Sequence, residues 1–175
     1  MEKIIKHLEK KALTGTEMQE ALEYCVNVVA YHELENMHDI NQIMTLPNGY
    51  RARAAVILYE SSYNNGHYTC LLEYPDHFLF FDPYGSKKID EELEYSSFDD
   101  DQTVRLKDLL RAQRKPYRTS LTKYQKDGEG INTCGRHCIA RIKMYDLTEQ
   151  EYKNVMHGNS DEKVVLLTML STDLP

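Results

Sequence analysis

The feature that most restricts the possible folds of this chain is a glycine-containing loop that runs directly into a helix at a cysteine. Residues 128–142 read GEGINTCGRHCIARI. Asn132 and Thr133 are both acceptable helix N-caps, and apolar residues follow at helical spacing from position 138 to position 145. The spacing therefore predicts a helix whose first turn contains Cys134.

A cysteine at a helix start has chemistry that a cysteine elsewhere lacks. The free N–H groups and the dipole at a helix N-terminus favour negative charge, so the thiol of Cys134 should ionise more easily. The thiolate is the nucleophilic form, and we expect Gly135 to keep the space beside the sulfur open. An isolated cysteine is usually a small buried hydrophobe, and we interpret Cys138 in that way. For Cys134, the loop, the glycine and the helix start together favour a nucleophile.

The composition of the chain is that of a single water-soluble domain. Its 175 residues, 41% of them hydrophobic and 28% charged, suffice for one substantial core, and we predict one domain over 1–175. No stretch is apolar enough for a membrane span, and residues 1–10 lack the apolar core of a signal peptide. Four cysteines without a framework-like spacing indicate reduced thiols inside a cell. The net charge of −7 argues against obligatory nucleic-acid binding.

The order of the predicted elements favours an α+β fold. A short amphipathic helix is predicted over 2–12, and a longer one over 16–29 that a Thr-x-x-Gln capping box opens. The apolar run 52–60 predicts a strand buried on both faces. Further strands follow, the last of them over 117–124, and the last helices are predicted to begin near Thr148 and Ser160. Helices, then strands, then helices indicate α+β.

A predicted hairpin supplies a geometric test for a catalytic pair. Two strand-like runs, 67–74 and 77–82, are joined at Pro75-Asp76. With these two residues in the turn, the numbers of cross-strand partners sum to 151. His67 and Asp82 then lie on one face as diagonal neighbours, about 7–8 Å apart at the backbone and within side-chain reach. A shift of one residue would place them on opposite faces.

These residue types are the ones that thiol-based peptide cleavage requires. An imidazole takes the thiol proton and later protonates the leaving amine, while a carboxylate fixes its tautomer and orientation. A side-chain amide or a backbone N–H near Cys134 would stabilise the oxyanion. The residues alone leave an alternative open, in which His67 simply ends a strand and Asp82 caps the turn at 83–85.

Four short motifs carry a resemblance to a known family. They are Gly66-His67-Tyr68, the run LFFDPYG at 79–85, Gln125, and Thr133-Cys134-Gly135. In this order they resemble the adenovirus maturation protease (adenain) family and, more widely, the clan that includes the SUMO-specific proteases. The resemblance covers about residues 55–145. It implies a papain-like α+β fold, in which a central mixed sheet packs against helices and the nucleophile lies at a helix N-terminus.

The resemblance also implies a role for each site residue. His67 would be the general base, Asp82 the orienting acid, Cys134 the nucleophile and Gln125 the oxyanion donor. The sequence departs from the family pattern at Tyr68, where members usually have Trp. Gln125 precedes Cys134 by nine positions, whereas the family glutamine usually lies closer to the cysteine. Asn132 or the Cys134 backbone N–H is therefore an alternative donor.

The implied activity is a cysteine endopeptidase that cleaves viral capsid or core precursors during virion maturation. The wording TCGRHCIARI is similar to capsid-processing proteases of large DNA viruses, virophages and related transposons. The resemblance implies substrates with small residues, typically Gly, before the cut. We expect a monomer in the virion and the host cell cytoplasm, with no cofactor and no membrane partner.

The sequence leaves three other functions open. The same site would serve an isopeptidase that removes ubiquitin or SUMO-like modifiers, although this short chain has little room for a docking surface. Related clan members are acetyltransferases that use the same triad. A non-catalytic binding module that retains the fold belongs to a different class, and an inert Cys134 would favour it.

For two further groups of residues, we prefer a structural interpretation to a functional one. Cys134, His137 and Cys138 lie within five residues of one helix, so a closed zinc site with His67 is not expected. The basic patch Arg111, Arg114, Lys115 and Arg118 is most often a solvated helix end, although it is where nucleic acid would bind. The acidic segment 90–101 is predicted to be a solvated loop.

Overall fold

The computed structural model describes residues 1–62, 65–85, 88–94 and 104–173. Five strands form one sheet in the order β1-β2-β3-β4-β5. They are β1 (Asn27–Ala30), β2 (Ala54–Ser62), β3 (Asn65–Glu73), β4 (Phe78–Phe81) and β5 (Tyr117–Thr119). The α-helices are α1 (Glu2–Glu9), α2 (Gly15–Ala21), α3 (Ile40–Met44), α4 (Leu106–Ala112), α5 (Cys134–Lys143), α6 (Glu149–Val155) and α7 (Ser160–Thr172). Short 3-10 helices cover Tyr31–Asn36 and Glu91–Glu94.

The sheet is mixed, as the α+β expectation requires. Strands β2, β3 and β4 form an antiparallel meander, while β1 pairs parallel to β2 and β5 pairs parallel to β4. None of the helices in the described part of the chain is both long and apolar enough to cross a membrane.

Helices cover both faces of the sheet, and β2 shows how. Val56 and Leu58 pack in one buried cluster with Ile139 of α5. The alternate residues Ala55 and Ile57 pack in a second cluster with α4. Since successive strand residues point to opposite faces, β2 is buried on both sides, and the prediction for 52–60 is confirmed.

The hairpin has the predicted register. Cys70 pairs with Phe81 and Leu71 with Phe80, so the numbers of the partners sum to 151. The N–H of Tyr74 donates to the carbonyl of His77 at 2.8 Å and closes the turn around residues 75 and 76. This register brings the start of β3 beside the residues that follow β4.

The long helix predicted over 16–29 is wrong. Helix α2 ends at Ala21, and its capping box is formed by Thr14 and Glu17 rather than by the pair at 16 and 19. Glu23 and Tyr24 then adopt left-handed φ angles of 53° and 55°, which stop the helix. The β-branched valines that follow form β1, where pairing with β2 outweighs a helical pattern.

The remaining helix predictions agree closely with the structure. Thr148 and Glu151 form a capping box at the start of α6, and α7 begins at Ser160. The strand predicted from 117 onward is shorter, because the chain leaves the sheet after Thr119. The N–H groups of Tyr124 and Gln125 then donate to the carbonyl of Pro83, at 2.8 and 2.9 Å. This fixes Gln125 beside the turn after β4.

Candidate active site

Cys134 is the first residue of α5 and is nearly buried, with 9% of its surface exposed. Thr133 occupies the N-cap position, but its side chain does not cap the helix. We had expected Gly135 to keep the space beside the sulfur open, and this expectation is wrong. A Cβ atom there would lie 2.8 Å from Sδ of Met18 and 3.4 Å from the Tyr68 ring. The glycine therefore lets α5 pack closely against α2 and β3, which fixes the position of the cysteine.

His67 and Asp82 are in direct contact, as the hairpin register predicts. Nε2 of His67 lies 2.7 Å from Oδ1 of Asp82. The backbone N–H of Tyr84 donates to the same oxygen at 2.8 Å, so the carboxylate also organises the turn. The structure thus combines the two interpretations of Asp82 that the sequence left open, because one oxygen serves both the histidine and the turn.

The electrostatics of the site favour a thiolate and an imidazolium. Burial alone would raise the pKa of the Cys134 thiol, but the hydrogen bond and charge of His67 outweigh it and lower the pKa below the ordinary value. Burial alone would lower the pKa of His67, but its contacts with Asp82 and Cys134 raise the pKa to about 10. Because Nε2 of His67 contacts Asp82, Nδ1 is the nitrogen that can exchange a proton with the thiol.

Gln125 lies in the same cleft as Cys134, although it precedes Cys134 by nine positions. Its side chain is 1% exposed, and Nε2 donates to the carbonyl of Ile131 at 3.2 Å and to the Tyr84 hydroxyl at 3.3 Å. Among the described residues, Oε1 of Gln125 has no hydrogen-bond partner. The amide is thus held in the cleft by groups on both sides of it.

Asn132, the alternative donor, also borders the cleft but is tied to α1 and the residue after it. Its backbone N–H donates to the carbonyl of Glu9 at 2.7 Å, and its side-chain amide donates to the carbonyl of Lys10 at 2.8 Å. These bonds direct the amide of Asn132 toward the N-terminal segment.

A cleft of about 320 Å³ opens onto these groups. Cys134 and His67 form part of its wall, and Gln125 lies beside them. The volume is at the lower end of the range for ligand sites, which suits a short extended segment with small side chains better than a bulky group.

Two residues near His67 have contacts that the sequence did not reveal. The ring of Tyr84 is stacked on the imidazole, with centroids 4.5 Å apart. Glu92 borders the cleft, and burial raises the pKa of its carboxyl.

The prediction of a solvated loop over 90–101 is therefore wrong for its first residues. Asp90 is buried and Glu91–Glu94 form a 3-10 helix, while 95–101 lie outside the described residues. Apolar Ile89 and Leu93, four residues apart in the acidic run, were the available signal that this part packs against the protein.

Two of the residues considered for a zinc site make other contacts. His137 contacts Asp161, and the thiol of Cys138 donates to the carbonyl of Tyr68. Within the described ranges, a different group has possible metal ligands close together. The ligand atoms of His67, Asp82 and Glu92 lie within 4.8 Å of one another, although His67 and Asp82 already contact each other.

The predicted basic patch is divided in the structure. Lys115 forms an ion pair with Glu73 at 2.8 Å. Arg111 and Arg118 line a separate cavity of about 400 Å³ together with Lys88 and Lys107. The sequence disfavours nucleic acid as a partner and names Arg111, Arg114, Lys115 and Arg118 as the place where it would bind, and this stays a prediction.

Comparison with known proteins agrees with the fold. No model of a known protein family matches the chain. It is 28% identical over 179 residues to an uncharacterized protein, V9, of the Sputnik virophage, and the match covers 95% of this chain and 99% of that protein. Among solved structures, the ASFV pS273R protease matches with a TM-score of 0.53 and 9% identity, over 93% of this chain and 69% of that one.

A second solved structure, the central domain of the uncharacterized Lpg1148 protein from Legionella pneumophila, gives a TM-score of 0.47 at 17% identity. It covers 93% of this chain and 96% of that one. The likeness to the ASFV protease shows a shared fold, a mixed sheet packed against helices, which confirms the predicted fold class.

Proposed function

We propose that this chain is a cysteine endopeptidase with Cys134 as nucleophile, His67 as general base and Asp82 as orienting acid. The observation that carries the proposal is the pair of contacts that links these three residues. A helix-terminal cysteine with a lowered pKa interacts with His67, and His67 lies 2.7 Å from Asp82. The four motifs that resemble the adenain family and the fold shared with the ASFV protease support the same assignment.

In the acylation step, the thiolate of Cys134 attacks the carbonyl carbon of the scissile peptide bond. The carbonyl oxygen becomes negative and accepts hydrogen bonds from the Cys134 N–H and the Gln125 amide. The C–N bond then breaks, and the imidazolium of His67 gives its Nδ1 proton to the leaving amine. The products are a thioester on Cys134, a free amine and a neutral imidazole.

In the deacylation step, the neutral imidazole removes a proton from water as the water attacks the thioester carbonyl. The C–S bond breaks, the carboxylic product leaves, and the thiolate–imidazolium pair is restored. Asp82 does not exchange a proton in either step. Its hydrogen bond keeps the imidazole oriented and stabilises the imidazolium, and together with Cys134 it raises the pKa of His67.

We propose viral capsid or core precursors as the substrates, cut during virion maturation by a single domain over 1–175. The similarity to a virophage protein along nearly its whole length supports a viral setting. A cleft of about 320 Å³ favours extended segments with small residues such as Gly before the cut. The virion and the host cell cytoplasm are the places where such an enzyme would act.

The test is cleavage of candidate capsid precursors, with new N-termini mapped by mass spectrometry. Wild-type protein should release discrete fragments, and Cys134→Ala, a small change at a nearly buried position, should release none while unfolding at the same temperature. A ubiquitin-like or SUMO-like fusion in parallel distinguishes an isopeptidase. Equal cleavage by Cys134→Ala would overturn the assignment, and an inert wild-type thiol would favour the binding module.

A further inference from the structure

A second buried histidine–carboxylate pair lies behind the nucleophile. His137 and Asp161 are 0% and 1% exposed, and Nε2 of His137 lies 3.1 Å from Oδ1 of Asp161. Asp161 is in the first turn of α7, and His137 is one turn into α5. Neither residue belongs to the cleft wall that the described residues form. The peptidase mechanism gives this pair no proton to carry.

Asp161 contacts both ends of the loop between Gln125 and Cys134. Its Oδ1 accepts a hydrogen bond from the Thr133 hydroxyl at 2.5 Å. Its Oδ2 accepts one from the backbone N–H of Lys126 at 3.2 Å. Lys126 directly follows Gln125, and Thr133 directly precedes Cys134. One carboxylate therefore binds both the first and the last residue of this loop.

This carboxylate is ionised. Burial alone would raise the pKa of Asp161, but the hydrogen bonds from His137, Thr133 and the Lys126 N–H outweigh it and lower the pKa. The pKa of His137 is lowered by its burial, so the imidazole is neutral and donates its Nε2 proton to Asp161. Three donors thus hold one buried charge, which makes their relative positions strongly determined.

We propose that Asp161 is a positioning residue for the active site, an inference that rests on the proposed function. By holding both ends of the loop, it sets the separation between the Gln125 amide and the Cys134 N–H, the two donors for the oxyanion. Eight residues lie between Gln125 and Cys134, and one of them, Gly130, has a left-handed φ of 83°. Such a long glycine-containing loop needs a tether if its ends are to stay in register.

The same helix offers a matched control. Asp173 follows the end of α7, and its carboxylate pairs with Arg136 of α5 at 2.9 Å and with Lys11 at 3.0 Å. Within the described residues, its hydrogen bonds and ion pairs are with Lys11, Arg136 and Thr172, none of which belongs to the loop 126–132. Asp173→Asn therefore weakens the packing of α7 on α5 without releasing the loop, and it separates general destabilisation from loss of the tether.

The first test measures amide hydrogen exchange of residues 126–133 by mass spectrometry and needs no substrate. Asp161→Asn and Thr133→Val should speed exchange in this loop by about tenfold or more, because each removes a bond that closes it. Thr133→Ser, which keeps the hydroxyl, and Asp173→Asn should leave it unchanged. If Asp161→Asn does not fold, Thr133→Val gives the same comparison. Unchanged loop exchange in either tether variant would overturn the inference.

The second test uses a peptide that the wild-type protein cleaves. Asp161→Asn should lower kcat by roughly 10- to 100-fold with KM unchanged, because the oxyanion donors are misplaced. The pH midpoint for alkylation of Cys134 should stay the same, since His67 and Asp82 are untouched. A wild-type kcat in a variant with a loosened loop would show that Asp161 is only structural. If the wild-type protein cleaves nothing, the peptidase proposal fails, while the exchange test still decides whether Asp161 holds the loop.

Discussion

The ring of Tyr84 lies flat against the imidazole of His67, with centroids 4.5 Å apart and planes inclined by 20°. The backbone N–H of Tyr84 also donates to Asp82, the carboxylate that contacts Nε2 at the edge of that imidazole. A single turn residue therefore restrains both members of the pair. The stacked ring limits rotation of His67, and the N–H fixes the oxygen toward which His67 points.

The stacking predicts different outcomes for two changes at Tyr84. Tyr84→Ala keeps the backbone N–H but removes the ring, so kcat/KM should fall by roughly 10- to 100-fold as His67 loses its orientation. Tyr84→Phe keeps the ring and should retain most activity. Steady-state kinetics on one peptide, with unfolding temperatures as the control, make the comparison. Equal losses in both variants would assign the effect to the hydroxyl and its bond to Gln125 instead.

Cys134 should be the only strongly nucleophilic thiol among the four cysteines. Cys70 and Cys138 are buried, and burial raises the pKa of the Cys138 thiol, whereas the pKa of Cys134 is lowered by His67. Cys25 is exposed but lies away from any helix start. Brief iodoacetamide treatment at neutral pH, followed by peptide mass spectrometry, should label Cys134 first. Preferential labelling of Cys25 would show that exposure, not ionisation, decides reactivity.

His67 and Asp82 should contribute unequally. His67→Ala removes the base and should abolish cleavage, whereas Asp82→Asn keeps the shape of the side chain and should leave partial activity. Asp82 and Cys134 together raise the pKa of His67 to about 10, so loss of the Asp82 carboxylate lowers that pKa. The alkaline limb of the pH–rate profile, which reports deprotonation of the imidazolium, should therefore move to lower pH in Asp82→Asn.

The profile of kcat/KM against pH for wild type and Asp82→Asn measures this limb directly. Asp76→Asn is a suitable control, because Asp76 contacts a different histidine, His77, at the far end of the hairpin. An unchanged profile in Asp82→Asn would mean that the carboxylate serves only the turn at 83–85.

The parts of this arrangement that the sequence predicted are the ones that depend on short-range rules. The hairpin register follows from a two-residue turn, and it brings His67 and Asp82 together without further information. The start of α5 at Cys134 follows from the apolar spacing, although the side chain of Thr133 at the N-cap position does not cap the helix. Both are decided within about twenty residues of chain, where periodicity and turn chemistry are strong signals.

The parts that the sequence did not reveal depend on packing between distant segments. Glu92 reaches the cleft because its neighbours Ile89 and Leu93 pack against the buried cluster on the α4 face of the sheet. Asp161 reaches Thr133 across 28 positions because α7 packs on α5. Gly135 looked like a means of exposing the sulfur, and only the positions of Met18 and Tyr68 show that it permits close helix packing.

The last prediction concerns the oxyanion donor, for which the sequence left two amides open. Gln125 is buried in the cleft, where its amide donates to the Ile131 carbonyl and to the Tyr84 hydroxyl, and a substrate oxygen would replace that hydroxyl as acceptor. Asn132 is exposed and already donates to Lys10. Gln125→Ala should therefore lower kcat by a factor of roughly 10²–10³ with little change in KM. Asn132→Ala should affect stability more than turnover.

The two variants are assayed side by side on one peptide, with Gln125→Glu as the matched control that keeps the volume but removes both donated hydrogens. Gln125→Glu should be as inactive as Gln125→Ala, because a carboxylate beside the developing negative charge cannot stabilise it. A large loss of kcat in Asn132→Ala with near wild-type turnover in Gln125→Ala would transfer the role to the nearer amide. Full activity in all three would mean that backbone N–H groups alone hold the oxyanion, with the Cys134 N–H at the start of α5 as the first of them.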